Sequence, residues 1–198
     1  MNKVLLIQAC VRESSRTLRL ARHLLARLDG AVTEVDLERA ALRPLNGETL
    51  AQREALLHGG ELDAPMLSHA HTFAAADEIV VAAPYWDLSF PAAIKTYLEH
   101  VTVLGVSFSY GADGVPVGLC RAKRLFYVTT AGGPILPPNH GFAYVRDLAS
   151  TFYGIPECVL FSAECLDVAG SDVERRLRQA EARIDAYLAG LSPRKGTL

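Results

Sequence analysis

The sequence has no long apolar run. Val4-Leu5-Leu6-Ile7 and the stretch from Ile79 to Ala83 are far too short to cross a bilayer. The first of these runs straight into a charged, helix-forming segment, so a buried strand is expected there and not a secretion signal. Charge of either sign is not in excess. Twenty Lys and Arg against 22 Asp and Glu leave a formal net charge of −2, which gives no basic footprint for nucleic acid and no polybasic membrane anchor. Cysteine is scarce. Cys10, Cys120, Cys158 and Cys165 form no CxxC pair, and no histidine cluster completes a zinc site. A reduced, cytoplasmic setting and no metal are therefore expected. Neither GxGxxG nor GxxxxGK[ST] occurs, which removes the usual nicotinamide-first and P-loop readings. Gln8-Ala9-Cys10 stands where a phosphoacceptor receiver would carry an acidic pair. Repeats, low-complexity tracts and linkers are also missing, so 198 residues with 50% apolar content are expected to form one domain over 1–198 with a sizeable core.

What is present is an alternation of strand and helix signals. Residues 3 to 9 read as a strand. Leu18, Ala21, Leu24, Leu25 and Leu28 recur at helical spacing, and Gly30 is expected to end that helix. Residues 31 to 37 read as a second strand. The stretch 38 to 65 is mixed, with a helix near 48 to 57, and residues 66 to 76 look helical. Residues 77 to 84, DEIVVAAP, form an apolar run of strand length stopped by Pro84. A helix starts at Pro91, a good first-turn residue, and carries Ile94, Tyr97, Leu98 and Val101 on one face. A small hairpin turns at Asp113-Gly114. Strands are expected at 123 to 130 and 157 to 163, with a helix at 141 to 153 between them. Ser171 and Glu174 form a capping box for a last helix running to Gly190. Five apolar strands alternating with helices imply an α/β fold, a five-stranded parallel sheet covered on both faces. The simplest strand order is 2-1-3-4-5. Ligands of such sheets sit beyond the carboxyl ends of the strands, where the order reverses. That brings together three loops: 9–17, 84–90 and 130–140.

The first loop leads into a helix whose free N–H groups make a phosphate site. Ser15 and Thr17 add hydroxyls and Arg16 a charge, although Ser15 can equally serve only to cap the helix. In the second, Tyr85 and Trp86 follow a buried strand, where an aromatic can pack on a flat cofactor, or on the core or a second subunit. In the third, Gly132-Gly133 lets backbone approach a planar group closely, or makes a plain turn. His140 is expected to face solvent.

Taken together, the loops resemble those of the FMN-dependent NAD(P)H:quinone oxidoreductases and azoreductases, which have a flavodoxin-like three-layer fold. The resemblance covers nearly the whole chain. APYWDLSFPAAIKTYLEHV, residues 83 to 101, is similar to that family's Pro-aromatic-aromatic-Asn segment with its following Pro and Leu-Lys. The hairpin GVSFSY follows it. TTAGG is similar to the family's flavin loop, and Ser15-Arg16-Thr17 to its Ser-x-Ser phosphate loop. The resemblance implies FMN as cofactor. Ser15, Arg16 and Thr17 would hold its phosphate; Tyr85, Trp86, Asp87 and Leu88 would line the ring; Thr130, Ala131, Gly132 and Gly133 would flank its polar edge. It further implies NAD(P)H and a small aromatic electron acceptor as partners, two-electron ping-pong transfer, no indispensable acid or base, and a homodimer. Segment 38–65 and the helix of 141–153 are expected to carry its contacts. Three positions depart from the pattern: Asp87 stands for a usual asparagine, Ala131 for an arginine in some members, and Ala9-Cys10 where a serine is common.

Cys10, five residues, then Arg16-Thr17 is also the loop spacing of low-molecular-weight tyrosine phosphatases and some arsenate reductases, in which a thiolate attacks the anion. Against that reading, the chain has no Asp-Pro pair to supply a general acid. Val11 to Ser15 contains no glycine, and Glu13 would repel an anion. A non-catalytic flavodoxin-like binding protein is the third reading.

Overall fold

Five strands pair in parallel in the order β2-β1-β3-β6-β7. The computed structural model describes residues 1–191. Along the chain come β1 (Lys3–Gln8), α1 (Arg16–Leu25), β2 (Ala31–Asp36), α2 (Gly47–Gly59), a 3₁₀ turn (Pro65–Leu67) and α3 (Ser68–Ala74). Then follow β3 (Glu78–Ala82), α4 (Ala92–Val101), the hairpin strands β4 (Phe108–Tyr110) and β5 (Pro116–Gly118), and β6 (Arg124–Thr130). Last are α5 (His140–Leu148), prolonged by a π-helical turn (Ala149–Tyr153), then β7 (Glu157–Ala163) and α6 (Val173–Leu191). With the hairpin set aside, the order is the expected 2-1-3-4-5, a flavodoxin-like sheet.

The period of two along each strand divides the core. Val4 and Leu6 of β1, Val80 and Ala82 of β3, and Phe126 and Val128 of β6 face α1 and α6. Leu5, Ile7, Ile79, Val81, Leu125 and Tyr127 face Phe73 of α3, Tyr97 of α4 and the π-turn Tyr153. Covered on both sides, β3 is buried at every residue. β2 lies at the edge and is mostly exposed, so it is not the apolar strand that the sequence pattern implied.

Several boundaries differ from expectation. α1 does not run to Gly30. It ends at Leu25 with Ala26 as cap, and Arg27 and Leu28 donate to Leu24 and Leu25 in tightened turns. Such i→i+3 bonds are common at helix ends, and they keep Leu28 packed on the core. Pro91 stands one residue before α4. α6 is capped by Asp172, whose Oδ1 accepts from Arg175 N–H at 2.9 Å. Ser171 Oγ instead accepts from Arg176 Nε at 2.8 Å. A carboxylate at a helix start favours the dipole as well as the free amide, so Asp172 takes the position expected of Ser171.

Candidate functional site

Parallel strands deliver their following loops to one edge. β1 leads to α1 through residues 9–15, β3 to the 84–90 loop, β6 to the Gly-Gly loop, and β7 to a turn through Asp167. A cavity of about 260 Å³ opens among them. Its lining includes Ser15, Arg16, Thr17, Tyr85, Trp86, Thr130, Ala131 and Gly132, together with Cys10, Arg12, Ser14, Pro84 and Asp167. Gly133, Asp87 and Leu88 are outside the lining. Gly133 sits beside it and accepts from Cys165 N–H at 3.0 Å. His140 starts α5, is exposed, and lines a neighbouring cleft with Phe90 and Tyr144.

At the phosphate loop, Ser15 caps α1: its Oγ accepts from Leu18 N–H at 3.2 Å. The hydroxyl proton can turn either toward the neighbouring Cys10 thiol or into the cavity. The first-turn N–H groups that Ser15 does not satisfy are further donors. Thr17 is 1% exposed, and its hydroxyl pairs with that of Thr130 at 2.6 Å. That bond ties α1 to the end of β6. Arg16 Nη1 donates to Asp167 Oδ1 at 2.7 Å.

The second loop folds as a two-residue turn. Trp86 N–H donates to Ser89 O at 3.1 Å and Ser89 N–H to Trp86 O at 2.8 Å. The two central residues, Asp87 and Leu88, have φ of 49° and 67°. Both are exposed at its tip, while Trp86 stands 41% exposed at the cavity rim. Tyr85 N–H donates to Thr130 O at 3.0 Å, which joins the second loop to the third.

Asp167 is the residue that sequence reasoning missed. The fourth loop also opens on the carboxyl edge, next to the Gly-Gly loop because β7 pairs with β6. The strand order alone was the available signal.

Cys10 does not have the environment of a nucleophile. It is 9% exposed, its Sγ lies 3.7 Å from Ala82 O, and burial raises its thiol pKa above the ordinary value, only partly countered by a hydrogen bond with Ser15. A phosphatase loop requires the opposite shift. Among the described residues no group of His, Cys, Asp and Glu is placed to hold a metal ion, and no helix is long and apolar enough to cross a membrane.

Residues 2–188 match the family model described as flavodoxin-like fold. The FMN-dependent NADH:quinone oxidoreductase of Coprothermobacter proteolyticus is 33% identical over 192 residues, covering 91% of this chain and 94% of that protein. The FMN-dependent NADH:quinone oxidoreductase 2 of Clostridium acetobutylicum is 33% identical over 190 residues, covering 90% and 94%. Among solved structures, the azoreductase of Bacillus anthracis strain Sterne superposes with a TM-score of 0.82 at 22% identity, covering 96% of this chain and all of that one. An FMN-dependent NADH-azoreductase of the same species, solved in complex with FMN, gives 0.80 at 18% identity, covering 98% and 100%; at such identities the likeness is one of fold. The matches in sequence run over nearly the whole chain, and the chain belongs to the flavodoxin-like fold family, in the group of the FMN-dependent NADH:quinone oxidoreductases.

Proposed function

We propose that the protein is an FMN-dependent oxidoreductase that carries two electrons from a reduced nicotinamide dinucleotide to a quinone or azo acceptor, in a ping-pong cycle and as a homodimer. One observation carries this reading: a helix N-terminus with hydroxyl and guanidinium donors opens into the same cavity as an aromatic turn and a glycine loop. Those features fit the parts of FMN. Ser15 and the first-turn amides of α1 suit its phosphate. The Trp86 ring suits a flat face, and the Gly132 backbone, with no Cβ of its own, suits a polar edge.

Bound FMN would supply the hydride acceptor and the two-electron store. The chain's own work is placement and electrostatics. Ser15 donates a hydroxyl proton to the phosphate while its oxygen keeps α1 capped. Arg16 supplies the balancing charge. The Thr17–Thr130 and Tyr85–Thr130 hydrogen bonds hold three loops at fixed distance, which sets orientation before the reactants meet. Backbone N–H groups of the glycine loop stabilise negative charge at the ring's polar edge. No side chain is assigned as an indispensable acid or base. The open rim beside Trp86 gives the nicotinamide and the acceptor one shared place, hence alternating binding. NADH, the donor in the relatives' names, is the one to try first.

The dimer is inferred from exposed apolar side chains and an uncovered helix. Leu88 and Leu136 are 61% and 66% exposed, and α2 buries none of its residues. The test starts from the absorbance spectrum of the purified protein and from flavin released on denaturation. About one FMN per chain and parallel double-reciprocal lines for NADH and benzoquinone are expected. Ser15→Ala should weaken FMN binding about tenfold or more, since a hydrogen bond to a charged group contributes about 1.5–3 kcal/mol. A protein that stays colourless after FMN is added, and shows no NADH-dependent turnover, would sink the reading.

A further inference from the structure

The turn after β7 is zipped onto the glycine loop. Leu166 N–H donates to Ala131 O at 3.1 Å, Asp167 N–H to Gly132 O at 2.9 Å, and Cys165 N–H to Gly133 O at 3.0 Å. The Asp167 side chain is thereby carried over the cavity. One oxygen, Oδ1, accepts from Arg16 Nη1 at 2.7 Å. The other lies over Gly132, so closely that a Cβ on that residue would come within 2.5 Å of it. The carboxylate thus reaches from the glycine loop to Arg16, the first residue of α1 and, with Arg12, one of the two guanidinium groups in the cavity lining.

An ion pair whose side chains are 38% and 63% exposed contributes little to stability. Its position is what matters. A phosphate seated at the start of α1 must share Arg16 with this carboxylate. Arginine has five N–H donors in a fork, so sharing is geometrically allowed, but two anions then stand on one cation and repel each other. A flavin without phosphate meets neither the attraction nor the repulsion.

Resting on the FMN reading above, we propose that Asp167 is a specificity-determining residue of this site: as the standing counter-ion of Arg16, it restrains the cavity's preference for phosphorylated over unphosphorylated flavin. Arg16 sets that preference and Asp167 moderates it. The cavity therefore binds its cofactor less tightly than the same cavity with a neutral residue at 167, and its affinity is less sensitive to salt, because Arg16 is already half neutralised.

The full-length chain, stripped of flavin, is titrated separately with FMN and with riboflavin, following quenching of flavin fluorescence at low and high ionic strength. Asp167→Asn should raise the ratio of FMN to riboflavin affinity by about fivefold at low salt, and the gain should shrink at high salt. Arg16→Gln should lower the ratio by about tenfold. In the Arg16→Gln background, Asp167→Asn should raise it less than it does in the parent. A ratio unchanged or lowered in Asp167→Asn overturns the inference. So does an equal loss of both flavins, which would mean that Asp167 only braces the turn against the glycine loop. Binding of both flavins by the parent with an unmoved ratio would leave the FMN reading standing and remove Asp167 alone. A parent that binds neither flavin would overturn both.

Discussion

Asp87 shows how one backbone angle explains a residue choice. The reciprocal Trp86–Ser89 hydrogen bonds close a two-residue turn of the primed type, which needs left-handed conformations at both central positions. Asparagine followed by glycine meets that need best, because asparagine tolerates the left-handed region and glycine has no Cβ to clash. Aspartate shares asparagine's tolerance of the left-handed region, so Asp87 answers to the turn. Leu88, with φ of 67°, does not, and a left-handed residue bearing a Cβ carries about 1–2 kcal/mol of strain. Leu88 is also largely exposed, so little packing offsets it within the monomer. Leu88→Gly should stabilise the isolated chain by about 0.5–1 kcal/mol, part of the relief being lost to the entropy of glycine in the unfolded state. Urea unfolding followed by tryptophan fluorescence reads this directly, since Trp86 is the only tryptophan. A loss of stability would show that Leu88 gains more from contacts than its backbone conformation costs.

At the scale of elements, the hairpin is fixed to the rest of the fold by backbone contact. Gly118, at the end of β5, lies against the π-helical turn: a Cβ there would fall 2.1 Å from Gly154 N and 2.2 Å from Tyr153 C. The turn cannot retreat easily, because Tyr153 is fully buried and its hydroxyl is hydrogen-bonded to Thr102 at 2.6 Å. Gly118→Ala should therefore destabilise by about 3 kcal/mol. Gly190→Ala in α6, where an added Cβ meets nothing within 4 Å, should be neutral or gain up to about 1 kcal/mol. Equal thermal midpoints for the two variants would contradict the close approach. That contact was invisible in the sequence. The alternation of apolar strands with helices was visible, and with it the parallel sheet and three of the loops at its edge. Exact ends were not. Leu28 keeps helical spacing although α1 has already stopped, because a tightened turn carries it to the same core. Asp172 and Ser171 are both good caps, and only the dipole separates them. The π-turn at Ala149–Tyr153 looks like ordinary helix in composition. Asp167 was hidden for a different reason: nothing in its neighbours marks it, and its place in the cavity follows from β7 pairing with β6.

For the whole molecule, the groups that titrate at high pH are unevenly placed. Burial pushes the Cys120 thiol up to about 12 and the Cys158 thiol up to about 11, and it raises Cys10 as well. The hydroxyls of Tyr97, Tyr127 and Tyr153 are raised too, chiefly by burial. In the unfolded chain thiols ionise near about 8.5. Between that value and the raised ones, the unfolded state has released protons that the folded state still holds. Stability therefore falls as pH rises through this window, and it is unaffected by these thiols below it. Each fully buried thiol would contribute a slope of up to about 1.4 kcal/mol per pH unit. Cys120 and Cys158 are only partly buried, and solvent screening reduces their share to a fraction of that. Loss of ion pairs does not compete as an explanation. Among the described residues the pairs are made by arginine, apart from Lys95–Glu99 and His23–Asp185, and arginine keeps its charge throughout this range. The midpoint of urea unfolding should be flat from pH 7 to 8 and should fall steadily between about pH 9 and 11. Cys120→Ala, compared with its own value at pH 7, should show a shallower fall, because one retained proton is gone from the folded state. A midpoint that holds level to pH 11 in the parent, or a slope untouched by Cys120→Ala, would place the alkaline limit elsewhere than in these buried groups.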